Sequence, residues 1–179
     1  YRSLIEADDS SLVVIDAQPV FTKRLPEGAG RSLVSRICWL IEVANWLQVP
    51  VVVTAEDVTE LGSVERQVQQ VLPADTVVYD KMVFGLSADP DILASVEKTG
   101  RKTVVLTGLE TDVCVAHSAI GVADHGYEVV VIADATGSAG TGHEFGLERV
   151  RGAGVLVTSL KGLFYEWMRT VECTKRFHA

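Results

Sequence analysis

The chain has 179 residues, 47% of them hydrophobic, which suits one domain (residues 1–179) whose core needs no disulfide or metal staple. Its 16 basic and 24 acidic residues give a net charge of −8, which sets aside nucleic acid and anionic membrane surfaces as main partners and leaves a small neutral or cationic ligand. Cys38, Cys114 and Cys173 lack C-x-x-C or repeated spacing, so neither a redox pair nor a zinc site is expected, and a reducing cytoplasm is the simplest setting.

Near the start, Glu6, Asp8 and Asp9 precede a short apolar run, so neither a signal peptide nor a membrane span is expected. That run, residues 12–15, reads as a first strand ending at Asp16. An amphipathic helix over 30–48 carries Cys38, Trp39 and Trp46, and Pro50 introduces a second strand over 51–54. A helix over 63–71 leads to a third strand, 76–79, followed by Asp80 and Lys81. Asp89-Pro90 supplies a cap and a first-turn proline for a helix over 89–99, closed by Gly100. The fourth strand, 103–107, stops at Gly108; a helix over 113–125 then opens with Cys114 and closes at Gly126. A fifth strand over 128–132 is followed by Asp134, a helix over 142–152, a sixth strand over 154–158, a helix over 160–170 with Trp167, and a polar tail holding Cys173.

This alternation predicts a three-layer α/β/α, Rossmann-like domain with a six-stranded, mostly parallel sheet, because apolar strands without polar alternation need helices on both faces. Ligands in such sheets bind beyond the carboxyl ends of the strands, where the sequence sets Asp16, Lys81 and Cys114. A cysteine in the first turn of a helix feels the positive end of the dipole, which favours thiolate. A thiol attacking an amide-like carbonyl also needs a proton acceptor, a stabilising charge and oxyanion donors. Asp16 fits the first role, Lys81 the second and backbone N–H groups over 110–114 the third. If the third strand lies two places from the first, about 10 Å of sheet must be spanned, within reach of a lysine stem and a short loop.

Four segments, Leu12-Val-Val-Ile-Asp-Ala-Gln-Pro-Val-Phe, Tyr79-Asp-Lys-Met-Val-Phe-Gly, Thr107-Gly-Leu-Glu-Thr-Asp-Val-Cys-Val and Val131-Ile-Ala-Asp-Ala-Thr-Gly-Ser, together resemble the isochorismatase-like cysteine hydrolases over residues 10–168. The resemblance implies a triad of Asp16, Lys81 and Cys114. It also implies a non-proline cis peptide at Leu109–Glu110 that aims the Glu110 and Cys114 amides at the oxyanion, a substrate cavity lined by Phe21 and Phe84, and a homo-oligomer, dimeric or larger. The nicotinamidase branch binds metal through an Asp-x-His segment after the second strand, where this chain reads Thr54-Ala-Glu-Asp-Val-Thr-Glu-Leu-Gly with no histidine before His117. No metal or other cofactor is therefore expected, Glu56, Asp57 and Glu60 being the carboxylates this stretch offers to a weakly bound cation. The isochorismatases proper lack the nucleophilic cysteine, so the resemblance points to the uncharacterised, non-nicotinamidase branch.

Each residue also has a plainer reading. Cys114 can be an inert core thiol, Asp16 a turn cap, Lys81 a solvated lysine, and Phe21 and Phe84 core residues. Asp112 and Asp134 read as turn or cap residues, His117 as a packing residue, and the three tryptophans as core or subunit contacts. The stretch Gly137-Ser-Ala-Gly-Thr-Gly142 lacks the Gly-Lys-Ser/Thr ending of a phosphate loop and reads as a helix cap and pocket wall. The expectation is a metal-independent cysteine hydrolase acting on C–N bonds of a small amide or related acyl substrate. The alternative is an idle family member that binds a ligand or serves assembly. A dinucleotide-binding domain is disfavoured by the lack of Gly-x-Gly-x-x-Gly after the first strand.

Overall fold

The computed structural model describes residues 3–179. Six parallel strands, β1 (Ser10–Ile15), β2 (Val51–Glu56), β3 (Val78–Lys81), β4 (Thr103–Leu109), β5 (Glu128–Gly137) and β6 (Leu156–Thr158), form one sheet in the order β3-β2-β1-β4-β5-β6. The helices are α1 (Pro19–Thr22), α2 (Ala29–Trp46), α3 (Val58–Leu61), α4 (Arg66–Val71), α5 (Pro90–Glu97), α6 (Ala116–Asp124), α7 (Gly142–Gly152), α8 (Leu160–Met168) and α9 (Val171–Phe177).

The continuous apolar strands follow from covering both faces. Leu12 and Val14 of β1 pack with Leu33, Ile37 and Ile41 of α2, Val68 of α4, and Leu163 and Trp167 of α8. Val13 and Ile15 pack on the opposite face with Ile92 of α5, Val122 of α6 and Val150 of α7. The chain after β1 therefore leaves toward one layer and the chain after β4 toward the other. These two central strands are neighbours, and the crevice at their carboxyl ends is the topological switch point. Close approach there requires Gly108: its φ is +122°, and a Cβ would run into the Ile15 carbonyl.

Boundaries differ from expectation where function lies. β2 continues to Glu56 and β3 starts at Val78 and includes Lys81. β4 runs through Gly108 to Leu109, and a turn of π-helix, Thr111–Val115, precedes α6, so Cys114 lies in that wider turn and not in the first turn of an α-helix. β5 extends past Asp134 through a register shift opposite Leu106 and Gly108. The tail expected to be polar forms α9, capped by Thr170 accepting from the Cys173 N–H at 3.1 Å. Phe177 anchors it against Trp46, at 5.6 Å between ring centroids, and Phe164, at 5.7 Å. Trp39 and Trp167 are packed as expected, with Trp167 Nε1 donating to Ser10 Oγ at 3.2 Å, whereas Trp46 is 39% exposed. Among the described residues no helix is long and apolar enough to cross a membrane.

Candidate active site

Asp16 leaves β1 with φ 45°, a left-handed conformation that aspartate tolerates better than most residues. Its Oδ1 accepts from Thr54 Oγ1 at 2.8 Å and its Oδ2 pairs with Lys81 Nζ at 2.9 Å. Both charged side chains are wholly buried. Lys81 crosses the end of the intervening β2, and its ammonium also donates to the carbonyls of Val83 at 2.6 Å and Phe84 at 3.2 Å. That places Nζ 3.7 Å from Cys114 Sγ. The three residues named from the sequence thus share one buried cluster. A charge excluded from water costs several kcal/mol unless paired, and here carboxylate and carbonyls surround the ammonium.

Cys114 is buried near the end of the π-turn, whose width lets the Glu110 carbonyl accept from both the Val113 N–H, at 3.2 Å, and the Val115 N–H, at 3.1 Å. The Leu109–Glu110 peptide is cis, as the resemblance implied. Helix α7 lies tight on this turn: a Cβ at Gly146 would stand 2.6 Å from the Asp112 nitrogen. Thr111 Oγ1 and His143 Nδ1 are 2.9 Å apart, tying the turn to the start of α7.

The electrostatics correct one expectation. Burial first, and the Asp16 charge second, push the Cys114 thiol far above its ordinary value; Lys81 pulls the other way, and the hydrogen bond to Glu56 pushes up again. These influences favour the neutral thiol over the thiolate that a helix dipole alone would favour, because the sulfur is desolvated among carboxylates. Burial likewise raises Asp16 above the ordinary carboxylate range, against the opposing pull of Lys81 and Thr54.

Cys114 Sγ donates to Glu56 Oε2 at 3.2 Å. The sequence offers Glu56 only as a weak cation ligand, because the apolar run of the second strand fades at Thr54 whereas β2 continues to Glu56. Gln18 fixes its backbone: the Glu56 N–H donates to Gln18 Oε1 at 2.7 Å, and Gln18 Nε2 donates to the carbonyls of Glu56 at 2.8 Å and Gly62 at 2.6 Å. A glutamine two positions after a strand-end aspartate was the available signal.

Asp16, Glu56 and Cys114 offer donor atoms within 4.8 Å of one another, the one such group of metal-ligand type among the described residues. Lys81 Nζ already supplies positive charge to this space, 2.9 Å from Asp16 and 4.0 Å from Glu56. The cluster is therefore a poor fit for a resident cation. Asp57 instead caps α3 by accepting from the Glu60 N–H at 3.3 Å, and the Glu60 side chain is not part of the cluster.

The other named residues are dispersed. Phe21 lies in the core, with the Arg24 guanidinium 5.2 Å from its ring centroid, whereas Phe84 is 54% exposed. Arg24 also pairs with Glu110 at 3.7 Å. His117 is exposed, edge-on to Phe84 at 6.1 Å, so it packs on the surface and not in the core. Asp112 accepts from Ser138 Oγ at 2.6 Å, and Asp134 accepts from the Leu160 N–H at 2.7 Å at the start of α8. The glycine-rich stretch gives α7 no side-chain cap: Thr141 stands at the cap position without such a bond.

A doubly wound parallel sheet with a thiol, a carboxylate and an ammonium meeting at its central crevice defines a Rossmann-like α/β domain with a buried polar site, and the comparisons with known proteins narrow it. Residues 10–161 match the isochorismatase domain model. The chain is 33% identical over 164 residues to a secreted isochorismatase effector of Phytophthora sojae, covering 88% of this chain and 76% of that protein. It is 25% identical over 175 residues to isochorismatase family protein 1B of Dictyostelium discoideum, covering 94% and 84%. Among solved structures, YcaC from Pseudomonas aeruginosa with hexane-2,5-diol and covalent acrylamide superposes with a TM-score of 0.88 at 18% identity, covering 96% of this chain and 86% of that one. The nicotinamidase/pyrazinamidase of Bacillus subtilis superposes with a TM-score of 0.70 at 18% identity, covering 84% and 100%. This chain belongs to the isochorismatase family, whose members are hydrolases.

Proposed function

We propose that the protein is a cysteine hydrolase that cleaves a C–N bond of a small amide, or a related acyl bond, without a resident metal. The observation that carries this reading is the buried contact set in which Lys81 Nζ lies 2.9 Å from Asp16 and 3.7 Å from Cys114. In the first step Cys114 Sγ bonds to the substrate carbonyl carbon as the thiol proton passes to the carboxylates beside it, the triad residue Asp16 and its neighbour Glu56. Lys81 offsets the charge that develops on sulfur, and the Glu110 and Cys114 amides face the oxyanion. The C–N bond breaks as the amine takes up a proton, leaving a thioester; water then attacks it with loss of a proton to the carboxylate, and the thiol is restored. Phe84, whose carbonyl accepts from Lys81, and Phe21 are proposed as the aromatic lining of the substrate site.

The nicotinamidase/pyrazinamidase among the structural relatives supports an amide substrate and is carried over here as part of the proposal. A panel of primary amides and activated acyl substrates, scored by amine release and by acyl-enzyme mass, tests it. C114A should abolish both signals; equal turnover by C114A would refute the reading.

A second reading, an idle family member that binds a ligand or serves assembly, draws on the neutral resting thiol. Under that reading the chain binds members of the panel without forming a covalent adduct. We further propose a homo-oligomer, supported by exposed Val77, Met82 and Phe84 around edge strand β3 and by a structural relative, YcaC of Escherichia coli, described as an octameric hydrolase of unknown specificity. A cytoplasmic setting rests on the unpaired cysteines, Cys38, Cys114 and Cys173.

A further inference from the structure

Building on the cysteine-hydrolase reading, we infer that Glu56 is a further catalytic residue: it is the first acceptor of the Cys114 proton and the donor of that proton to the leaving amine. Three observations carry the assignment. The thiol of Cys114 donates to Glu56 Oε2 at 3.2 Å. Asp16, which also interacts with the thiol, is tied on its other sides to the Thr54 hydroxyl through Oδ1 and to the Lys81 ammonium, 2.9 Å from Oδ2. The Glu56 side chain is 22% exposed whereas those of Asp16 and Lys81 are at 0%, so Glu56 is the carboxylate on the solvent side of the sulfur, from which substrate arrives and amine departs.

The proton inventory closes on this arrangement. When sulfur bonds to the carbonyl carbon, the thiol proton moves to Glu56. When the tetrahedral intermediate collapses and the C–N bond breaks, the same proton moves to the departing nitrogen. Deacylation repeats the cycle with water: its proton goes to Glu56 as oxygen bonds to carbon, and returns to sulfur as the thioester breaks. Asp16 keeps Lys81 charged and in position, which sets the field around the sulfur. Gln18 positions Glu56 by gripping its backbone on both sides of the side chain.

A proton donor matters for an amine leaving group and much less for a phenolate, so leaving-group dependence separates this role from a structural one. The test compares wild type, E56Q and E56D on a primary aryl amide and on the p-nitrophenyl ester of the same acid, with Cys114 alkylation by iodoacetamide as a third readout. E56Q should lower kcat/KM on the amide by about 10²-fold or more and on the ester by less than tenfold. Loss of the neighbouring negative charge should leave alkylation at neutral pH undiminished or faster, because it eases ionisation of the thiol. E56D should recover part of the amide rate. An amide-to-ester ratio in E56Q equal to that of the wild type, with both substrates still turned over, would overturn the Glu56 assignment while sparing the cysteine-hydrolase reading. Absence of Cys114 acylation by either substrate in the wild type would overturn both.

Discussion

Lys81 Nζ lies 2.9 Å from Asp16 Oδ2 with both side chains wholly excluded from solvent, although β2 separates the strands they come from. The pair is the electrostatic centre of the site, and removing one partner leaves the other as a buried uncompensated charge.

K81M should therefore destabilise the fold by about 3–5 kcal/mol at neutral pH, read from urea denaturation. The loss should depend on pH in a defined direction. Burial already raises Asp16 above its ordinary value, and Lys81 is the largest opposing influence, so K81M raises it further. The folded variant then holds a proton that the unfolded chain has released, and its stability falls as pH rises through the window between the unfolded and folded values. A loss equal at pH 5 and pH 8 would contradict this account of the pair.

Burial and the neighbouring Asp16 charge push the Cys114 thiol above its ordinary value, against the pull of Lys81. Alkylation of the thiol by iodoacetamide, followed by peptide mass mapping, should be slow at neutral pH and keep rising beyond the ordinary thiol range. A plateau reached below pH 7 would mean a preformed thiolate and would remove the need for a carboxylate acceptor.

Much of this was legible in the sequence and some was not, for physical reasons. Strand-end logic found Asp16, Lys81 and Cys114 because a doubly wound sheet brings the carboxyl ends of its central strands into one crevice. It missed Glu56 because Ala55 and Glu56 weaken an apolar pattern that pairing with β3 nonetheless sustains, Glu56 opposite Lys81. It places Cys114 at a helix start, since periodicity does not distinguish a π-turn from the α-helix it precedes. Helix α9 was hidden because its stability comes from one aromatic, Phe177, landing on Trp46 and Phe164, a contact that local polarity does not reveal.

Gly108 marks the closest approach of β1 and β4, with φ +122° and the Ile15 carbonyl where a Cβ would sit. G108A should cost about 3 kcal/mol or more, combining backbone strain with overpacking, and thermal unfolding measures it. A loss below about 1 kcal/mol would mean that the strands separate easily and that the crevice is not rigidly set.

Gly146 tests the same rigidity from the other side, because a Cβ there would stand 2.6 Å from the Asp112 nitrogen and press α7 off the π-turn. G146A should reduce kcat/KM by tenfold or more through displacement of the turn that carries Cys114, even where the chain remains folded by circular dichroism. Wild-type kinetics in G146A would show that the packing of α7 does not set the position of Cys114.

The central claim is that Cys114 becomes covalently acylated. Mass spectrometry of the chain quenched during turnover of the amide and acyl panel, with peptide mapping, tests it most directly. The predicted result is an acyl adduct on the peptide containing Cys114, present in the wild type and absent in C114A, with turnover lowered by about a thousandfold or more in that variant. Hydrolysis by C114A at the wild-type rate, or an adduct confined to Cys38 or Cys173, would contradict it.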